Sequence, residues 1–418
     1  MRSSKRLQGS IYPAFYVWSS RALLALLFFA ILTLWVPQRW ALSLFQSGIL
    51  ALAIAWVVRM MWKPYRLHVA AVMIPLAGVL IWGMVQLGTG RSVYRWDTWN
   101  AVLNWGVSLV ILILSYQLFL HAEIRRRFLR GVLIFGFLLS ILSTLQMLTT
   151  TNVFWLFPSG YPNLVAGPFV SRNLYAAFME LIVPLAVFES LMNPREAVIH
   201  IFMTALIFAS VIAASSRAGA ILLTCEIVAV LALSLARGRI TVRRFGAVTA
   251  VFTCVCILLI GILGWQEMAN HFRMPNSSER RPELWQSSWQ MFRERPVWGF
   301  GLGTWADVYP AYALYDDGMR ANQAHNDWLE WAVEGGAPAV LMFAALAALC
   351  LRPAIRSLWG IGVIAILIHA FVDYPLQQKP ALAAWVFVFI AAVTSASKVP
   401  WHSRREVLPA VSLESLPG

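Results

Sequence analysis

The stretch TWNAVLNWGVSLVILILSYQLFL, residues 98–120, decides the fold class because it holds no charged side chain. An α-helix rises about 1.5 Å per residue, so a run of this length crosses the ~30 Å hydrocarbon core of a bilayer. A second run of the same kind occupies residues 245–264. Such runs recur along the chain with short basic clusters between them, a pattern typical of a polytopic membrane protein.

The composition excludes most other classes of protein. The chain has 418 residues, of which 60% are hydrophobic and only 12% charged, and its mean hydropathy is +0.68. Soluble proteins carry about 25% charged residues, so we exclude soluble enzymes, secreted disulfide scaffolds and disordered proteins. The sequence predicts an all-α polytopic membrane protein with about twelve transmembrane helices. The predicted spans are 22–36, 40–58, 67–87, 98–120, 130–148, 174–192, 197–215, 218–236, 244–264, 336–351, 355–371 and 381–397.

The net charge of +14 and the pI near 10.2 pose the question of a nucleic-acid partner. Most Lys and Arg residues, however, lie between predicted spans on the side of the N-terminus, as in the basic cluster at 125–127. The inner loops of membrane proteins carry such an excess of basic residues. We therefore expect membrane lipids and no nucleic acid as partners, and we expect both termini to be cytoplasmic.

The predicted spans divide the chain into three parts. Residues 1–264 hold transmembrane helices 1–9, residues 265–335 form a large outer loop, and residues 336–418 hold helices 10–12 and a short cytoplasmic tail. A loop of this length is usually functional or disordered. Its many tryptophans argue against disorder, so we expect it to fold and to carry function.

Helical spacing of apolar residues predicts two amphipathic helices in this loop, lying at the membrane surface. The first follows Trp285, Trp289 and Phe292, and the second starts at His325. Between them lies GFGLG, residues 299–303. No βαβ pattern surrounds these glycines, so a nucleotide site is a weak interpretation. We favour glycines that let the backbone approach a ligand or pack closely against the membrane helices.

Arginines on the outer side gain nothing from the insertion bias and need another explanation. Arg217 lies between two spans with almost no loop, where an arginine near hydrocarbon is costly. Guanidinium groups bind phosphate through two parallel hydrogen bonds, so Arg217 predicts an anion site. Arg172 precedes a span in a similar way, at a helix N-terminus that favours phosphate. Arg280 and Arg281 precede the first loop helix. The alternative for Arg217 is snorkelling to the interface, and for Arg172 it is an interfacial anchor. For Arg280 and Arg281 it is a solvated surface pair.

His325 is the candidate general base of the loop, because the ordinary pKa of histidine suits proton transfer near neutrality. Asp327 or Glu330 would hold its tautomer if the fold brings either carboxylate within reach, and the alternative is a polar surface histidine. Two acidic residues, Glu180 and Glu226, lie within predicted spans. They are either functional or make hydrogen bonds between helices, and the sequence leaves both readings open. No spacing typical of a metal site is present in the outer loops.

These motifs, taken together, resemble the signature of the O-antigen ligase and polymerase superfamily. The central resemblance is His-Asn-x-x-Leu-Glu followed by Glu-x-Gly, seen here as HNDWLE and VEGG. The remaining motifs are spread over about half the chain in the expected order. The segments that carry the resemblance are FVSRN (169–173), SRAG (216–219), RPELW (281–285), PVWGFGLG (296–303), HNDWLE (325–330), VEGG (333–336) and HAFVDYP (369–375).

The resemblance implies a GT-C-like membrane glycosyltransferase with a large helical periplasmic loop. It would transfer O-antigen glycan from undecaprenyl diphosphate to lipid A–core in the bacterial inner membrane, with its active site facing the periplasm. His325 would be the general base, and Arg217 and Arg281 would bind the diphosphate with no metal and no cofactor. The candidate substrate-binding residues are Arg172, Arg280, Asn173, Asn326, Asp327 and Arg320.

The resemblance leaves other activities open. A polymerase would use another glycan repeat as acceptor, and an O-oligosaccharyltransferase would use protein Ser or Thr. A ligase acceptor is phosphorylated, and Arg273, Arg293, Arg295 and Arg320 would suit it, although acidic residues of the same loop balance their charge. We favour the ligase over the polymerase. We rank protein glycosylation third, because it would favour an additional domain after the last span. From a different class, a membrane anion transporter would also use an arginine site, but the two halves of the chain show no symmetry.

Overall fold

A computed structural model describes residues 14–63, 65–158, 165–263, 280–314, 318, 320–377 and 380–398. Within these ranges the chain is helical, and the only strand-like pairings are two isolated β-bridges, Val153 with Phe157 and Ala166 with Phe169. The predicted fold class, an all-α polytopic membrane protein, is confirmed. Residues 265–279 of the predicted loop, with Arg273, lie outside the described residues, as does most of the predicted tail.

The helices follow one another along the chain with short connections. Their bounds are α1 Ala14–Leu32, α2 Arg39–Trp62, α3 Met73–Gly88, α4 Arg95–Phe119, α5 Ala122–Thr149, α6 Arg172–Met192, α7 Ala197–Ala213, α8 Arg217–Ala236, α9 Val242–Leu263, α10 Arg281–Glu294, α11 Trp305–Val308, α12 Asp327–Ser357, α13 Ile361–His369 and α14 Pro380–Ala396, with a 3₁₀ turn at Tyr309–Ala311.

Every predicted span overlaps a described helix, although some bounds were wrong and one span is broken. Eight of the described helices are long and apolar enough to cross a membrane, and α3, α7 and α14 are shorter apolar helices. The span predicted at 355–371 is broken, because α12 ends at Ser357 and α13 is only nine residues long. Leu358, between them, has a left-handed φ of 60° that a helix does not accommodate. The first helix ends at Leu32 and not at the predicted 36.

The helices α6 and α14 form the centre of the bundle. Almost every residue of α6 from Leu174 to Leu191 is buried, and so is almost all of α14. A helix that is apolar on all sides is stable only when protein or lipid covers it all round. α14 packs against α4, while α7, α8 and α13 pack against α6. The connection that precedes α6 therefore lies at one end of the most buried helix.

The large loop packs onto the membrane helices and has a small core of its own. α10 packs against the first part of α12, and buried Trp305 stacks on Tyr309 between them. The segment 299–303 turns with positive φ at all three glycines, at 63°, 115° and 80°. A Cβ on Gly301 would lie 2.7 Å from Ser92 Oγ, so this turn needs glycine to approach the start of α4. The glycines therefore serve close packing against the membrane helices.

The second predicted loop helix is the first part of α12, which continues into the membrane with a kink. His325 precedes the helix and does not start it as predicted, because Asn326 is the N-cap and α12 begins at Asp327. The kink lies at Gly336, whose φ of 65° and ψ of −167° are essentially restricted to glycine. Buried Glu334, just before it, accepts hydrogen bonds from the backbone N–H groups of Gly303 and Trp305 at 2.8 and 3.1 Å.

We expect Gly336→Ala to destabilise the protein by about 1–3 kcal/mol or more, because alanine rarely adopts this conformation. Its Cβ would also lie 2.2 Å from the carbonyl oxygen of Val297. Thermal unfolding in detergent measures the effect. The matched control is Gly246→Ala in α9, where a Cβ meets no atom within 4 Å and melting should be unchanged or slightly raised. Equal melting temperatures for the two variants would contradict the role of the kink.

Candidate active site

Three helices begin with an arginine at the same place in the fold. Arg172 is the first residue of α6, Arg217 that of α8 and Arg281 that of α10. The charge of Arg172 interacts with those of Arg217 and Arg281 and with that of Asp373, which brings all four groups into one cluster. The first turns of α6 and α8 are joined directly, since Ser216 Oγ donates to the side-chain oxygen of Asn173 at 2.9 Å.

This arginine cluster has the features of an anion-binding site. The first backbone N–H groups of a helix have no partner within the helix, and the helix dipole places partial positive charge there. Arginine side chains at such positions add full charges and forked donors that fit phosphate. The three arginines outnumber the one carboxylate of Asp373 in this cluster, and the excess positive charge favours an anionic ligand.

The adjacent residues Arg280 and Arg281 have different roles. Arg281 Nη1 donates to the carbonyl oxygen of Val372 at 2.6 Å, and Nη2 lies 3.5 Å from Asp373 Oδ2. Arg280 instead hydrogen-bonds Tyr309 in the core of the loop. Burial, together with the neighbouring carboxylate of Glu283, raises the pKa of Tyr309 to about 12, so that its hydroxyl stays protonated. Only Arg281 of this pair is in the arginine cluster.

His325 is paired with Asp373. Its Nδ1 lies 3.1 Å from Asp373 Oδ1, and 29% of the histidine side chain is exposed, against 1% of the aspartate. The ring of Tyr374 packs edge-on against the imidazole. The backbone of His325 has a left-handed φ of 53°, a strained conformation of the kind found at functional sites. A proton on Nδ1 donated to Asp373 leaves Nε2 as the basic nitrogen.

The partner predicted from sequence was wrong. Asp327 and Glu330 were expected to hold the tautomer of His325, but their carboxylates contact backbone N–H groups instead. Glu330 Oε2 accepts from Ala324 at 3.0 Å, and Asp327 Oδ2 accepts from Leu376 at 2.8 Å. Both contacts shape the segments that flank His325.

Asp327 and Asn326 are engaged within the protein. The carboxylate of Asp327 also accepts from the backbone N–H of Gln377, and its own backbone N–H donates to Ala370. Asp327 therefore fixes the turn at 370–377 that carries Asp373. The side-chain oxygen of Asn326 accepts from Leu329 and caps α12. These contacts indicate that both residues position the site.

Asp373 is ionised in this environment. Burial opposes its charge, but the hydrogen bond from His325 and the charges of His325, His369 and Arg281 outweigh burial, so the pKa of Asp373 is lowered. Its Oδ1 also accepts from the backbone N–H of Tyr374 at 3.1 Å. An ionised Asp373 is suited to stabilising a protonated imidazole.

Three further titratable groups lie deeper in the bundle. His369 Nδ1 is 2.7 Å from Glu180 Oε1, and both side chains are fully buried. Glu226 of α8 lies close to Glu180. The structure thus gives Glu180 a hydrogen bond between α6 and α13, one of the two readings that the sequence left open.

Arg320 lies in a different group of charges. It is 3.5 Å from Asp307 and 71% exposed, and both residues interact with Asp97 at the start of α4. Asp373 and Tyr374 received no role from the sequence, although HAFVDYP was recognised as a motif. The signal in the sequence that could have identified this turn is an acidic residue next to an aromatic one, just after an apolar run.

Fold and site together define a polytopic membrane protein with an arginine cluster beside a His–Asp pair. Residues 202–344 match the sequence model of a family described as O-antigen ligase. The matched segment includes Arg217, Arg281 and His325, and it supports membership of the O-antigen ligase/polymerase superfamily, which confirms the resemblance. A comparison with curated proteins found no match.

We expect Asp373→Asn to destabilise the protein at neutral pH by about 1.5–3 kcal/mol, the usual contribution of hydrogen bonds to a charged group. A carboxyl with a lowered pKa in the folded state stabilises above its unfolded pKa and loses this contribution as the pH falls through the folded pKa. The difference in melting temperature between wild type and variant should therefore be constant near neutrality and shrink below about pH 4.

The control for this prediction is Glu123→Gln, which removes the carboxylate of an exposed pair with Arg126 and Arg127. Exposed ion pairs contribute about 0–1 kcal/mol, so its melting temperature should follow that of the wild type at each pH. A difference for Asp373→Asn that does not shrink below about pH 4 would contradict an ionised Asp373.

Proposed function

We propose that this protein transfers O-antigen glycan from undecaprenyl diphosphate to lipid A–core at the periplasmic face of the bacterial inner membrane. The observation that carries the proposal is the arginine cluster of Arg172, Arg217 and Arg281 beside the His325–Asp373 pair. A diphosphate and a nucleophilic hydroxyl are the two groups that such a site accommodates side by side.

The arginine cluster is proposed to bind the diphosphate of the donor. Arg217 and Arg281 contact its oxygens, and Arg172 adds a third charge from the start of α6. Negative charge grows on the diphosphate as it leaves, and donors already in position stabilise this charge most strongly where water is scarce. The arginines thereby supply the positive charge needed for departure without a metal. The polyprenyl tail extends into the bilayer beside the bundle.

His325 is proposed to activate the acceptor. Its Nε2 takes the proton of the acceptor hydroxyl while the oxygen forms a bond with the anomeric carbon of the donor sugar. The bond from that carbon to the diphosphate breaks, and the electron pair leaves with the diphosphate. Asp373 holds the tautomer of His325 and stabilises the imidazolium that forms. Attack opposite the leaving group inverts the anomeric carbon.

Arg281 connects the two halves of this chemistry. Its guanidinium contacts the carboxylate of Asp373 and the carbonyl oxygen of Val372, while its charge interacts with Arg172. A diphosphate bound there approaches the same aspartate that orients the base. Binding of the donor and orientation of His325 are therefore expected to depend on the same position of α10.

The test is glycan transfer by purified protein in detergent with EDTA, using the polyprenyl-diphosphate donor and lipid A–core. We expect His325→Ala to lower the rate by about 10²–10⁴-fold, the usual contribution of a general base. Arg217→Ala should lower it by about 10²–10³-fold, as the loss of one charge-stabilising donor does. Matched controls are His68→Ala and Arg352→Ala, which remove exposed side chains elsewhere and should retain wild-type rates.

Each outcome of this assay has a distinct meaning. The ligase is supported if wild type and both controls transfer glycan to lipid A–core while both site variants do not. Elongated polyprenyl-linked chains without labelled lipid A would indicate a polymerase, and labelled protein would indicate an O-oligosaccharyltransferase. An absence of donor consumption by folded wild type would contradict the glycosyltransferase proposal and favour the anion transporter.

A further inference from the structure

A polar cavity of about 260 Å³ opens between α2, α4 and α14, and no step of the proposed reaction uses it. Its walls also include Gly303 of the glycine turn and Gln377, which follows the turn that carries Asp373. It lies at the end of the bundle where the large loop packs, because the backbone of Val93, just before α4, donates to Phe300.

The wall formed by α4 is a stripe of polar side chains along one face of the first part of this helix. Asp97, Asn100, Asn104 and Ser108 all line the cavity and follow one another at spacings of three or four residues. Such spacing places them on one helix face over about 16 Å. Polar side chains within a membrane helix are costly unless they have partners, so this stripe favours a polar occupant.

The cavity presents amide groups that are only partly engaged. Gln46 Nε2 donates to Asn104 Oδ1 at 2.7 Å, which orients the Asn104 amide and leaves its own N–H groups available for another acceptor. Gln377 donates to Glu334, while its Oε1 is buried and has no hydrogen-bond partner among the described residues. Trp105 adds an aromatic surface to the wall.

The charges around the cavity balance one another. Arg39 lines it, Asp97 lies beside Arg39, and Asp307 and Arg320 interact with Asp97 at its rim. Two arginines and two aspartates give no net charge, in contrast to the arginine cluster. Amides, paired charges and an aromatic ring offer both donors and acceptors, a combination that suits neutral hydroxyl groups better than an anion.

The cavity is close to the proposed reaction centre. Gln377 follows Asp373 by four residues, a separation of at most about 14 Å along the chain. Asp327 binds the backbone N–H of Gln377 and supports the turn of Asp373, so the cavity wall and the base share one rigid connection. A short oligosaccharide covers such a distance.

We propose that this cavity is a saccharide subsite that binds uncharged sugar units of a substrate glycan near the bond that is formed. The proposal rests on the proposed function for the identity of the glycan, which belongs either to the acceptor or to the donor. Both sources share the same chemistry, a chain of neutral polyhydroxyl rings.

The first test is binding without catalysis. Saturation-transfer NMR with purified protein in detergent uses free core oligosaccharide in one arm and glycan released from the donor lipid in the other. We expect wild type to bind one of the two, and Asn100→Leu and Asn104→Leu to weaken that binding by about tenfold or more, because each loses a hydrogen-bonding amide. Leu103→Ala, on an exposed part of the same helix, is the matched control and should bind as wild type does.

The second test is the transfer assay with the same variants. A sugar subsite predicts that KM for the bound substrate rises about tenfold while kcat changes little, because the reacting groups are intact. If the asparagine variants fail to fold, Arg39→Met probes the same cavity from α2, where Arg39 is exposed and starts the helix.

The two proposals fail in different ways. If a saccharide binds and Asn100→Leu weakens its binding, but the wild type transfers no glycan, the subsite is retained and the proposed function is contradicted. Normal transfer with an unchanged KM in folded Asn100→Leu and Asn104→Leu overturns the subsite and retains the function. The subsite is also overturned if neither saccharide binds to wild type.

Discussion

The carboxylate of Asp373 is the interaction on which the rest of the site depends. It contacts the imidazole of His325 in the segment before α12 and pairs with Arg281 at the start of α10. It also accepts a hydrogen bond from the backbone N–H of Tyr374. Three segments far apart in the chain thus meet at one buried charge. Asp327 supports the arrangement through the backbone of the turn that carries Asp373. The loop and the membrane helices are joined at this point, so the same contacts of Asp373 form the site and hold the loop against the bundle.

The sequence predicted the membrane helices well, because an apolar run of sufficient length has few alternatives to a helix in a bilayer. It missed the break between α12 and α13, since the residues on both sides of Leu358 remain apolar and hydropathy does not report backbone direction. Likewise, it identified His325 but gave it the wrong partner. Asp373 lies 48 residues further along the chain. Only the turn at 370–377, which Asp327 holds from α12, brings it to the imidazole.

The arginines illustrate a second limit of sequence reasoning. Arg280 and Arg281 are adjacent, yet successive residues at a helix start point about 100° apart, so one contacts Tyr309 and the other Asp373. Arg320 was grouped with the phosphate-binding residues because of its charge, whereas its neighbours are Asp307 and Asp97. Residue type predicted that cations of the outer side gather in one cluster. Which cations do so depends on the faces and ends of helices that only the folded chain defines.

The position of Asp373 in the chain has a consequence for biogenesis. The helices α6, α8 and α10, with their arginines, are synthesised well before the turn at 370–377. Until that turn is synthesised and packs, His325 lacks its contact with the Asp373 carboxylate. Arg281 lacks its contacts with Val372 and Asp373. The nascent chain therefore contains all three arginines of the cluster before it contains the carboxylate that contacts Arg281 and His325. The contacts of Asp373 with His325 and Arg281 form only after α13 and the turn at 370–377 have been synthesised and have packed.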